Sequence, residues 1–204
     1  MVRILIIRPG VTDFDEQGRI KGTLDIPLSE AGNCQVTRIV EELSQTQIEF
    51  VYSSPCRCAL QTAEALATSR KLRVKKLEDL QNLDHGLWHG KLFDEVKQTQ
   101  PKVYRQLQEH PETVCPPDGE PVSVAIERVN TALNKLLKKH KSGVVALIVP
   151  EPIASIARCL LEHAHVGDLW RAERECGSWE SLDVDSKHLL TWRGVVELVE
   201  TGKT

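Results

Sequence analysis

The chain has 204 residues, with 26 Lys+Arg against 29 Asp+Glu and a formal net charge of -3. That length suits one α/β domain able to bury a full core, and the even charge balance excludes the electrostatics of nucleic-acid or anionic-membrane binding. No stretch has the length and apolarity of a membrane span, so a cytoplasmic protein without membrane or nucleic-acid partners is expected.

The apolar run Val2–Ile7 reads as a buried strand that ends at Arg8-Pro9-Gly10. Its carboxyl end is where ligands bind in open α/β sheets, so Arg8 and position 9 are the first candidates for a site. A loop carrying Gly18 and Gly22 leads to a helix from Ser29-Glu30 to about Leu43, with Ser29 as N-cap and Leu28 as staple. Residues 48–53 read as a second strand, and Pro55 as the first turn of a helix. A third strand follows at 72–77, then a loop over 79–90 and a polar helix over 92–110. Pro111, Pro116, Pro117 and Gly119 mark an irregular excursion. Val122, Ile126, Val129, Leu133, Leu136 and Leu137 have the spacing of an amphipathic helix. A buried strand at 144–149, a helix at 152–161 and closing strands at 181–184 and 189–198 complete the pattern. Strands alternating with helices predict a three-layer α/β/α sandwich with a mostly parallel central sheet, in a single domain over residues 1–204.

Six cysteines (Cys34, Cys56, Cys58, Cys115, Cys159 and Cys176) follow no disulfide framework and read as reduced thiols. Cys56 and Cys58 are the only close pair, too near in sequence for a structural zinc site. On a helix, residues two apart do not share a face, so Cys56 reads as a core residue. The seven histidines, His85 and His89 included, show no metal-ligand spacing and read as surface residues, and the tryptophans as core or rim. No metal and no cofactor are expected.

Four segments carry a resemblance. They are RPGVTDFDEQGRIKGTLDIPLSEAGNCQ from Arg8, SSPCRCALQTAE from Ser53, the set Leu80, Gly86, Trp88 and Gly90, and PPDGEPVSVAIERV from Pro116. Over roughly residues 3 to 185 the chain resembles the histidine phosphatase (phosphoglycerate mutase-like) superfamily. The resemblance implies that fold and an excursion near 80–120 lying over the active-site mouth. It also implies a phosphate pocket in which a histidine after the first strand takes the phosphoryl group.

Matched residue by residue, that histidine falls on Pro9, a second phosphate-binding arginine on Cys58, a proton-donating glutamate on Asn82 and a second histidine on Pro150. Arg8 is kept, and Arg57 lies one residue before the position of the second arginine. Cys58 inherits a place facing the pocket but lacks the phosphate-cradling loop of a thiolate nucleophile. Arg8, Thr12, Asp15, Arg57 and Glu151 are the expected pocket-lining or residual anion-binding residues, with Arg8 paired to a carboxylate such as Asp15 or Glu151. Proline offers neither lone pair nor N–H, so a catalytically silent member of the fold is expected, a binding, scaffolding or regulatory module for an unknown small molecule or protein. The alternative is a phosphatase or mutase-family enzyme with residual or repurposed activity using Arg8, Cys58, Asn82 and Glu151.

Overall fold

A computed structural model describes residues 1–164, 169 and 175–185. The opening run forms β1 (Val2–Ile7), buried except at Arg3, which pairs with Asp183 across the sheet at 2.9 Å. An unbroken apolar run suits a strand covered on both faces, and the core divides accordingly. Val2, Ile4 and Ile6 join Val145 and Leu147 in one cluster, while Leu5 and Ile7 join Val51, Ala146 and Ile148 in the other.

With β2 (Phe50–Ser53), β3 (Val74–Lys76), β4 (Val144–Ile148) and β5 (Trp179–Val184), the sheet runs in the order β3-β2-β4-β1-β5. The first four are parallel and β5 pairs antiparallel with β1, which makes the sheet mixed. One face is covered by α2 (Glu30–Glu42) and α3 (Arg57–Thr68) through Ile39, Ala59, Ala63 and Leu66. The other carries α6 (Val122–Lys139) and α7 (Ile153–Glu162) through Ile126, Val129, Leu133 and Ile156. The expected α/β fold and layering are present.

Several boundaries differ from the sequence reading. Asp13–Glu16 forms a short helix, α1, inside the expected loop, because Thr12 and Asp15 cap it reciprocally. The single helix expected over 92–110 is divided into α4 (Phe93–Thr99) and α5 (Pro101–Glu109). Gln100 precedes a proline, which disfavours the helical region, and it sits at φ -133 and ψ 57. Pro101 then opens α5 at a position where its missing N–H costs nothing. Helix α3 begins after Pro55, with Cys56 extended at its N-cap (φ -66, ψ 148). The strand expected at 189–198 lies outside the described residues.

Segment 78–114 carries 3-10 turns at Glu78–Leu80, Gly86–Trp88 and Pro111–Thr113, and builds a small core from Trp88, Phe93, Val96, Leu107 and Val114 packed with Ile20 of the loop after α1. The start of α2 lies tight against the loop after β1. A Cβ at Gly10 would collide with the Gly32 carbonyl, and one at Gly32 with the Val11 carbonyl. Ser29 accepts the Gly32 N–H at 3.1 Å, fixing that contact from the helix side.

Candidate functional site

Parallel pairing places the carboxyl ends of β1, β2 and β4 at one edge, with Ile7 and Ser53 both in register with Ile148. The chain leaves that edge as Arg8-Pro9, as Pro55-Cys56 and as Pro150-Glu151. Segment 175–178 runs beside it, where Ser178 accepts the Arg8 N–H at 2.8 Å and the Gly177 N–H donates to the Pro9 carbonyl at 2.7 Å.

Arg8 is only 5% exposed, and its Nε donates to Glu151 Oε1 at 2.5 Å. Its Nη1 lies 2.9 Å from Glu180 Oε1 on β5, and its Nε 3.5 Å from Glu175 Oε2. Burial works against the guanidinium charge, but Glu151 and Glu180 outweigh it and hold the Arg8 pKa above its ordinary value. Burial also raises the Glu151 carboxyl, against the pull of Arg8 and of the Ser155 N–H that it accepts at 3.0 Å. The expected carboxylate partner of Arg8 is therefore Glu151, with Glu180 added. Asp15 belongs to a different cation.

That cation is Lys21, which sequence reasoning missed. It is 6% exposed, and its Nζ lies 2.7 Å from Asp15 Oδ1 and donates to Oδ2 at 2.9 Å. Thr12 donates to the same Oδ2 from its N–H at 2.7 Å and its hydroxyl at 2.8 Å. Burial opposes the ammonium charge, but Cys176, Asp15 and Cys58 raise its pKa overall. Lys21 sits in a polar loop with no periodicity, so only the fold reveals that it is buried.

Two thiols share this neighbourhood. Cys56 Sγ and Cys58 Sγ are 3.8 Å apart, with Ser54 Oγ donating to Cys56 Sγ at 3.5 Å. This corrects the expectation that residues two apart on a helix point away from each other. Cys56 is not in the helix; it is extended at the N-cap, and its side chain turns back toward Cys58 in the first turn. The thiol hydrogen bond from Cys58 lowers the Cys56 pKa to about 7, helped by Ser54, the Ala59 N–H and Lys21. The same interaction and burial push the Cys58 thiol well up, so it keeps its proton.

Asn82 is 2% exposed; its Nδ2 donates to the Gly22 carbonyl at 3.1 Å, and its buried Oδ1 has no hydrogen-bond partner. It lines a cleft with Thr23, Asp79, Asp84, Glu120 and Arg128. Arg57 is not gathered with the others, since its side chain is exposed and its contact is a backbone N–H to Asp25 Oδ1 at 2.8 Å. His85 and His140 are corrections too, both being buried, with Tyr52 Oη 2.8 Å from His140 Nε2. Among the described residues no cluster of metal-ligating side chains occurs, and no helix is long and apolar enough to cross a membrane.

The profile of the histidine phosphatase superfamily (branch 1) matches residues 4–193. This chain belongs to that superfamily. It is 27% identical to phosphoserine phosphatase 1 of Hydrogenobacter thermophilus over 92% of this chain and 89% of the relative. It is 29% identical to phosphoglycerate mutase-like protein 4 of Arabidopsis thaliana, over 98% and 88%. The structure of a mycobacterial glucosyl-3-phosphoglycerate phosphatase with VO3 superposes with a TM-score of 0.79 at 23% identity, over 90% of this chain and 93% of that one. The first of these relatives is named as a phosphatase and the second as mutase-like. That overturns the expectation of a catalytically silent module and favours the alternative, an enzyme of the family.

Proposed function

We propose that the chain hydrolyses phosphate monoesters of small metabolites, using a thiol where the family resemblance puts an imidazole. The resemblance assigns its nucleophile, second arginine, acid and second histidine to Pro9, Cys58, Asn82 and Pro150, none of which can fill those roles. The observation that carries the proposal is the placement of Cys56, extended at the amino end of α3 with its Sγ 3.8 Å from Cys58 Sγ and accepting from Ser54 Oγ at 3.5 Å, contacts that lower its pKa. A thiolate at a helix N-terminus beside a cation is an activated nucleophile.

In this reading the Cys56 thiolate attacks phosphorus and the ester P–O bond breaks. Cys58, still protonated, is the group placed to supply a proton to the leaving oxygen. Water then attacks phosphorus, the S–P bond breaks, and the thiolate returns while Cys58 recovers its proton. Arg8 contributes little, because two carboxylates already neutralise it. We also take segment 80–120 to lie over the mouth of this site, since Asn82 reaches Gly22, the neighbour of Lys21. The unpaired Asn82 Oδ1 and the acidic cleft beside it favour an organic portion bearing hydroxyl or ammonium donors.

Steady-state assays with p-nitrophenyl phosphate, O-phosphoserine, phosphoethanolamine and 3-phosphoglycerate test this. The expected result is turnover that falls about 100-fold or more in Cys56→Ser, with phosphate trapped on the peptide holding Cys56. Turnover that Cys56→Ser leaves unchanged, or none above the uncatalysed rate, overturns it.

A further inference from the structure

We propose that Cys56 and Cys58 form a redox-active dithiol that closes to an intramolecular disulfide by exchange with a low-molecular-weight disulfide. The two sulfurs already lie 3.8 Å apart, and bonding requires them to approach to about 2.05 Å. The N-cap geometry makes that approach local. Cys56 is extended and outside the helical hydrogen-bond ladder except through its carbonyl, which accepts the Leu60 N–H at 3.0 Å, so its side chain can turn without unwinding α3.

Burial divides the roles. Cys56 is half-buried and can be reached by a small reagent, whereas Cys58 is 3% exposed and packs against Leu28 and Val36. The Cys56 thiolate attacks one sulfur of the reagent, forming a mixed disulfide and expelling one thiolate. Cys58 then loses its proton to that thiolate and attacks Cys56 Sγ, expelling the second thiolate, which takes its proton from solvent. Two protein thiols are oxidised, and one reagent disulfide is reduced to two thiols.

The dithiol stands apart from the phosphatase reading, because its readout is a covalent bond and needs no substrate. The full-length chain is equilibrated in glutathione buffers of increasing disulfide content, free thiols are alkylated, and tryptic peptides are weighed. Trypsin cuts after Arg57, so the disulfide joins peptides 39–57 and 58–70. The expected result is that crosslinked pair as the dominant oxidised species. In Cys58→Ser the reaction stops at glutathionylated Cys56, and in Cys56→Ser modification of Cys58 falls at least tenfold. A dominant bond from Cys58 to Cys176, or six thiols alkylated alike across the whole range of buffers, overturns the proposal.

Discussion

At the scale of single residues, the thiol at position 56 is the group whose environment departs most usefully from the ordinary. Its pKa falls from 9.0 to about 7, first because Cys58 donates to it. A folded-state value below the unfolded one means that the thiolate is favoured in the native protein. The resulting stability is present above pH 9.0 and is lost as pH falls through about 7. The rate of iodoacetamide alkylation at Cys56, followed by peptide mass, is therefore expected to rise with a midpoint near 7. In Cys58→Ala the donor is gone, and the midpoint should move toward the ordinary thiol value of 9.0. A midpoint near 9.0 already in the native protein would remove the basis for an activated Cys56. This residue was hard to see in the sequence. The dipeptide Pro55-Cys56 suggested a helix already begun, and helical geometry separates residues two apart. Only the later start of α3 leaves Cys56 extended and brings the sulfurs together. Lys21 gave no signal for a related reason, since a lysine between Ile20 and Gly22 in an aperiodic loop carries no pattern of burial.

At the scale of elements, the ion pair between the ends of β1 and β4 ties the sheet together beneath the site. Arg8 and Glu151 are almost wholly buried, and the Glu151 carboxylate also accepts the Ser155 N–H in the first turn of α7. Removing one partner of a buried pair leaves the other uncompensated, which costs about 3–5 kcal/mol. For Glu151→Ala a loss of about 3 kcal/mol is expected, at the low end because Glu180 remains 2.9 Å from Arg8. The midpoint of urea unfolding measures it, and a change under about 1 kcal/mol would show that Glu180 alone suffices to hold the guanidinium. Elements with strong periodicity or unbroken apolar runs were legible: Val122–Lys139 is helical over the range that its apolar stripe marks, and β1 ends where its run ends. Short edge strands were not. Residues 72–77 looked like a full strand, yet only Val74–Lys76 pairs, because among the described residues β3 has β2 alone as a neighbour.

At the scale of the whole molecule, the fold and the site obey different rules. Apolar strands, helix caps and close-packed glycines such as Gly10 and Gly32 are spread along the chain, so the architecture does not depend on the residues that stand at positions 9, 58, 82 and 150. In the proposed reading the site draws on β1, β2, β4, the 78–114 segment and the 175–178 strip, and its groups act together. Pro9→His alone is therefore expected to give no acid-labile phosphohistidine when the protein is incubated with a radiolabelled phosphodonor. An imidazole at position 9 would stand beside Arg8, whose charge Glu151 and Glu180 already consume, so phosphoryl oxygens would meet little free cation. It would also lack an acid near the leaving oxygen, a loss of roughly 10²–10⁴ in rate, because Asn82 cannot donate a proton as a carboxylic acid does. Groups that work as a unit recover little when one is returned singly. The combined change Pro9→His, Cys58→Arg, Asn82→Glu, Pro150→His and Glu151→Gly supplies nucleophile, cation, acid and second imidazole, and frees Arg8 from its closest carboxylate. That variant should form the acid-labile label and turn over independently of Cys56, so that Cys56→Ser no longer abolishes its activity. Label appearing in the single Pro9→His protein at a comparable level would mean that Arg8 can leave its carboxylates for a phosphate, and that the ion pair beneath this site is far weaker than its burial implies.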